Sequence, residues 1–260
     1  MIRHALPTWK TFEDYEAPDP AAQDGWGTID WEATAARIAA DRLDGRLTRG
    51  SLRHGHTFLT LTYIRGYEAL LFDMADGDPH LPRLIAMTEL FNQALVARYL
   101  DLGVDWMGYP EDLGMQQGPM VSPAHFRRYI KPVYRRLMAP ARDAGCVVHM
   151  HSDGDIRALA EDLLDCGVDA LNLQDLVNGI DWIRDHLTGR VCVDLDVDRQ
   201  QVTRFGTPEA IDALIREEVR KLGDPAGGLM LHHGLMPGLP LENVRALMDA
   251  MEAYATFYSG

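Results

Sequence analysis

Short runs rich in apolar residues recur along the chain at 57–62, 104–109, 146–151, 168–173, 190–195 and 228–233, and the stretches between them carry apolar residues at helical spacing. Runs of that length, bounded by Gly, Asp or Asn, predict strands, and the longer amphipathic stretches predict helices. The clearest helix begins at Thr207-Pro208, places Ile211, Leu214, Ile215, Val219 and Leu222 on one stripe, and stops at Gly223. A second begins at Ser122-Pro123 and runs to Gly145, with Pro132 and Pro140 expected to kink it. Another helical pattern covers Trp31 to Leu43.

Strands alternating with helices of this length predict a parallel sheet with right-handed crossovers, which means either a doubly wound sheet or a barrel. Periodicity does not separate the two. Residues 1–30 are rich in Pro, Asp and Gly and show no period, so they read as an irregular arm that Trp9, Phe12 and Tyr15 could pin to the body. The organisation expected is an arm and first helix over 1–50, followed by the α/β body over 51–260.

Composition narrows the partners. With 25 Lys+Arg against 39 Asp+Glu, the net charge of -14 repels nucleic acid and anionic membranes, which favours a small-molecule substrate. The three cysteines, Cys146, Cys166 and Cys192, form no CxxC pair and lie in or beside apolar segments, as expected of reduced thiols in a cytoplasmic protein. No apolar run approaches the ~18 residues needed to span a bilayer, and residues 1–9 lack the apolar centre of a signal peptide.

In parallel α/β folds, ligands sit at the carboxyl ends of the strands. The predicted strands lead there into Tyr109, Glu111 and Asp112, then His149, His151 and Asp153, then Asn172, Gln174 and Asp175, then Asp194, Asp196 and Asp198, and finally His232 and His233. Any one of these could merely cap the next helix, as Asp153 or Asp155 would before Ile156. Five strands delivering carboxylates or imidazoles to one rim favour an enzyme, because so many ionisable groups are costly to desolvate without a metal or substrate. The Asp194-Asp196-Asp198 spacing is not an EF-hand loop, since Arg199 stands at its sixth position and Phe205 at its twelfth.

The segments "LTLTYIRGYEALLFDMADG" and "GVDWMGYPEDLGMQQGPMVSP" between Leu59 and Pro123 resemble the uroporphyrinogen decarboxylase superfamily, and "HSDGD" (151–155), "GVDALNLQ" (167–174), "FGTPEAI" (205–211) and "GLPLENVRAL" (238–247) continue the match in register. The resemblance implies a TIM-type (β/α) barrel, of which the six readable units look like the third to eighth, with the first two absent. It also implies one of two chemistries. The haem-pathway decarboxylase branch places its substrate-binding arginines and key aspartate in the absent part. The methyltransferase branch binds zinc through a His-x-Cys pair and a later Cys, and works with a corrinoid (methylcobalamin) protein. Here the pair reads His151-Ser152-Asp153 and the later position falls near His232-His233, giving His151, Asp153 and His233 as the ligand set, harder than a thiolate-rich site and suited to oxygen substrates.

On this reading Glu111 and Asp112 serve as acid/base or substrate anchor, and Gln116, Gln174, Asp196 and Arg199 are substrate-binding candidates. A decarboxylase or lyase of another small acid is the second reading, with Tyr109 and His149 on the substrate and Arg199 on its carboxylate. A third is a non-catalytic barrel subunit whose open edge is covered by the arm or by a second copy in a homodimer.

Overall fold

A computed structural model describes residues 4–258. In chain order its strands are β1 (Arg49–Ser51), β2 (Trp106–Pro110), β3 (Gly114–Met115), β4 (Gly118–Pro119), β5 (Val147–Ser152), β6 (Ala170–Gln174), β7 (Cys192–Asp196) and β8 (Leu229–His232). Six of them form one sheet, ordered β1-β2-β5-β6-β7-β8, and every neighbouring pair in it is parallel. β3 and β4 make a small antiparallel hairpin apart from it. Five of the six expected strands fall within a residue or two of their predicted bounds.

The first does not. The strand expected at 57–62 is helical, within α2 (Phe58–Arg65), and the edge strand is the short β1 just upstream. Phe58 to Thr62 are all buried, so no exposed face marked the segment as a helix, and its alternating Thr residues imitated a strand.

The helices follow their punctuation. α1 (Trp31–Leu43) starts where the Asp30 side chain accepts the Ala33 N–H. α3 (Tyr67–Asp76) and α4 (Leu81–Asp101) follow α2. The long helix predicted after Ser122 is divided into α5 (Pro123–His125), a π-helical turn over Phe126–Ile130, and α6 (Lys131–Asp143). The π turn ends two residues before Pro132, which has no N–H to make an ordinary α hydrogen bond at that point. After β5 come α7 (Ala160–Leu164), α8 (Asp175–Asn178), α9 (Ile180–His186), α10 (Val202–Phe205), α11 (Pro208–Leu222, capped by Thr207) and α12 (Leu241–Tyr254).

Strand side chains alternate between two faces. Met107, Tyr109, Val148, Met150, Leu171, Leu173, Val193 and Leu195 are buried on one face and belong to the hydrophobic core. The opposite face carries Trp106, His149, His151, Asn172, Gln174, Asp194 and Asp196, aligned across the sheet by the registers Pro110↔His151↔Asn172↔Asp194 and Gln174↔Asp196. Polar chemistry is therefore confined to one face, densest at the carboxyl ends.

The arm lies on the helices. Leu6 N–H donates to the Ile64 carbonyl at 2.8 Å, Trp9 stacks on His80 at 5.3 Å under the Arg65 guanidinium, and Phe12 is buried.

Candidate metal centre and adjoining cavity

The loop between β1 and α2 is fixed from below by Glu111. This carboxylate, fully buried just after β2, accepts the backbone N–H groups of Thr57 and Phe58 on Oε2 at 2.9 and 2.8 Å and of Leu59 on Oε1 at 3.1 Å. The Tyr134 hydroxyl donates to it as well, at 3.0 Å. Those amides are the otherwise unpaired first donors of α2, so an anion is well placed there. Burial pushes the Glu111 carboxyl up, and its four hydrogen bonds oppose that. With both oxygens occupied and no exposed surface, Glu111 builds the loop and does not face a substrate, contrary to the role expected for it. Tyr109 likewise lies away from the expected substrate face: it is on the helix-covered side of the sheet, buried, with its hydroxyl donated to the Leu137 carbonyl.

The pinned loop brings His54 to the next residue on the β2 rim, Asp112. Asp112 Oδ1 is 3.2 Å from His54 Nε2 and 3.5 Å from His151 Nε2. Ligand atoms of His54, Asp112 and His151 all lie within 4.8 Å of one another. Zinc bonds of about 2.0–2.1 Å in a tetrahedron place neighbouring ligand atoms ~3.3 Å apart, so these spacings and this donor set fit a divalent cation. Burial raises the Asp112 carboxyl, but hydrogen bonds with His151, His54 and the Asp153 N–H outweigh it and hold the group well below the usual carboxylate range. Both imidazoles move the other way. His54 is raised mainly by its bond to Asp112; His151 is raised although burial opposes it, through Asp112 and Asn172. A carboxylate shared by two imidazoles is a site where a cation replaces protons.

The His151 tautomer is set from behind. Asn172 Nδ2 donates to the Asp194 carbonyl at 2.7 Å, which leaves Asn172 Oδ1 to accept from His151 Nδ1–H. The neutral ring then keeps its free lone pair on Nε2, toward Asp112.

Asp153 stands beside this group, its Oδ1 3.7 Å from His151 Nε2, and is tied to Arg199 Nη2 at 2.7 Å. The same guanidinium nitrogen lies 2.7 Å from Asp196 Oδ2. Asp196 is 3% exposed, its Oδ1 has no partner, and burial pushes it up to about 6 against the pull of Arg199. Asp153, Gln174 and Arg199 line a cavity of about 380 Å³ together with Gln200, Arg204, Phe205 and Met236. Gln174 Oε1 accepts the Gly154 N–H at 2.8 Å. Gly154, at φ +81°, is pressed against the β3–β4 hairpin so closely that a Cβ would fall 2.2 Å from the Gly114 carbonyl carbon, which fixes the loop carrying Asp153.

The remaining candidates lie elsewhere. His233 turns to Thr203, Nε2 to Oγ1 3.2 Å, with a buried, unpartnered Nδ1, and it is outside the group formed by His54, Asp112 and His151. His149 pairs with Asp194 at 2.9 Å and packs on Trp106, deeper along β5. Gln116 is exposed at the hairpin turn and makes no side-chain hydrogen bond among the described residues. His54 was missed because reading 57–62 as a strand put it at the wrong end of that strand; the cue available was the His54-Gly55-His56 sequence next to an apolar run.

A parallel α/β sheet with imidazoles and carboxylates gathered at its carboxyl ends is common to barrel and doubly wound folds. The family model described as uroporphyrinogen decarboxylase (URO-D) matches residues 1–254, and the chain belongs to that family, whose fold is a TIM-type barrel. It is 33% identical over 140 residues to a uroporphyrinogen decarboxylase of Thermus thermophilus, covering 52% of this chain and 38% of that protein. To one of Gloeobacter violaceus it is 27% identical over 197 residues, covering 72% and 52%. The chain thus matches about half or less of the length of these relatives. Among solved structures, a methyltransferase from Methanosarcina mazei superposes with TM-score 0.71 at 17% identity, covering 97% of this chain and 71% of that one. A B12-independent methionine synthase from Shewanella sp. W3-18-1 gives 0.59 at 12%, covering 88% and 66%. These likenesses concern the fold.

Proposed function

We propose that this chain is a metal-dependent enzyme whose cation is held by His54, Asp112 and His151, with Asp153 adjoining, and that it transfers a methyl group between a corrinoid protein and a small acceptor bound in the Arg199 cavity. The observation that carries the reading is the convergence of three ligand atoms from three separate strand ends, with the His151 tautomer already set by Asn172. Zinc bound there would act as a Lewis acid that lowers the pKa of an acceptor oxygen or thiol.

The chain's own groups supply the rest. Arg199, held between Asp153 and Asp196, and Arg204 are the cations of the cavity, Gln174 shapes the wall, and Asp196, with a carboxyl raised to about 6 and an unpartnered Oδ1, is suited to hold or release a proton near neutral pH. His54 and Asp112 take the places of two of the three ligands first expected, and His151 is kept: Asp153 becomes a neighbour tied to Arg199, and His233 is left out. A site of imidazole and carboxylate, with no thiolate, favours oxygen acceptors over thiols.

A second reading, decarboxylation of a small acid, draws on the Arg199, Asp153 and Asp196 cluster and on the decarboxylases among the relatives. Demethylation of methylcobalamin with phenol and thiol acceptors, assayed before and after chelation, separates the two. Methyl transfer that is lost on chelation and restored by zinc supports the first reading. Absence of transfer, with acid consumption that survives chelation, would replace it with the second.

A further inference from the structure

A second cavity, of about 400 Å³, lies under the N-terminal arm and is formed with α2 and α4. Its wall is apolar and aromatic, with Tyr15, Trp26, Ile64, Met87 and Phe91 prominent, and its one cation among the described residues is Arg53. Neither Arg53 nor this cavity contributes to the His54 centre: successive residues of the same loop send their side chains to different places, His54 to Asp112 and Arg53 beneath the arm.

Arg53 is under-partnered for a guanidinium in such a place. Of its five N–H donors, one on Nη2 goes to Thr60 Oγ1, one on Nη1 has only a long 3.5 Å contact to the Gly25 carbonyl, and Nε is buried with no partner among the described residues. It forms no ion pair among the described residues. Glu111 and Asp24 act on it only from a distance, and Glu111 is already saturated by the α2 amides and Tyr134. A guanidinium stays charged in proteins, and Arg53 is half-buried, where a charge without a counter-ion is costly. A chain with net charge -14 has 39 carboxylates from which to supply a partner, yet none is placed here.

We infer that the cavity beneath the arm binds a small monocarboxylic acid with a compact apolar body, a single ring or a short branched chain, its carboxylate on Arg53 and its body among Tyr15, Ile64, Met87 and Phe91. The volume lies within the ~300–1,000 Å³ of small-molecule sites, which combine an apolar wall with one or two orienting polar groups in this way. Because Gly25 and Trp26 of the arm form part of the wall, the ligand also fastens the arm to α2 and α4.

The test is titration calorimetry of the whole chain with phenylacetate and 4-methylpentanoate, each paired with its neutral amide. Binding of at least one acid with Kd below about 1 mM, and at least tenfold weaker binding of its amide, is expected. Arg53→Gln should weaken the acid at least tenfold and leave the amide unchanged. Met87→Trp, which fills the wall and keeps the charge, should weaken acid and amide together, and it decides the matter if Arg53→Gln fails to fold. Zinc should change none of these values, so a failure of the metal centre leaves this result readable. Acids that do not bind, or that bind no better than their amides, or binding that survives Arg53→Gln, would overturn the proposal and leave Arg53 as a strut between Gly25 and Thr60.

Discussion

Asn172 gives its amide N–H to the Asp194 carbonyl and takes the Nδ1 proton of His151 on its oxygen, so one side chain on β6 fixes which nitrogen of a β5 histidine is free. Partners of this kind are worth roughly 10–100-fold in metal affinity. Asn172→Ala should lower zinc affinity by about that factor while leaving one site per chain, as read by competition with a chromogenic chelator. An unchanged affinity would mean that the tautomer is fixed by something else.

Glu111 separates a building role from a catalytic one. Glu111→Ala strands the amides of Thr57, Phe58 and Leu59 and the Tyr134 hydroxyl in a dry interior, and it should cost about 3 kcal/mol or more in urea denaturation. Glu111→Gln keeps an acceptor and should cost less. A catalytic group would instead show full stability and lost turnover.

Burial without a cation pushes the carboxyls of Glu218 and Asp175 upward. Asp175 already accepts the N–H groups of Leu176 and Asp198, so the proton of the pair belongs to Glu218, whose oxygens have no other partner. The unfolded chain releases that proton near the ordinary Glu value of 4.5, whereas the folded chain holds it to higher pH. The stabilisation is therefore complete below that value and is lost as pH rises toward the folded pKa, by up to about 1.4 kcal/mol per unit. Glu218→Gln should flatten the dependence and make the variant more stable than the parent at pH 8, though not at pH 4.5. Parallel stability curves would contradict this.

Most of the sheet was legible because β2, β5, β6, β7 and β8 are short runs rich in apolar residues and are bounded by turn residues. What was not legible depended on tertiary partners. Phe58 to Arg65 becomes a helix because a carboxylate 52 residues or more further on meets its first amides. That same contact carries His54 to Asp112, so one misread element hid one member of the candidate site. His151, Asp112 and Asp153 were legible as strand-end residues. That Asp153 would be drawn off by Arg199, and His233 by Thr203, depends on loop geometry that no spacing in the sequence reveals.

The central claim is a cation held by His54, Asp112 and His151, and the direct measurement is zinc content and zinc affinity of chain purified without chelator, beside His54→Ala, Asp112→Asn and His233→Ala. About one zinc per chain is expected, lost or weakened at least tenfold in the first two variants and retained in His233→Ala, with melting temperatures of the apo forms close to that of the apo parent. A parent that takes up no zinc, or one whose zinc is lost with His233 and kept without His54, would contradict it.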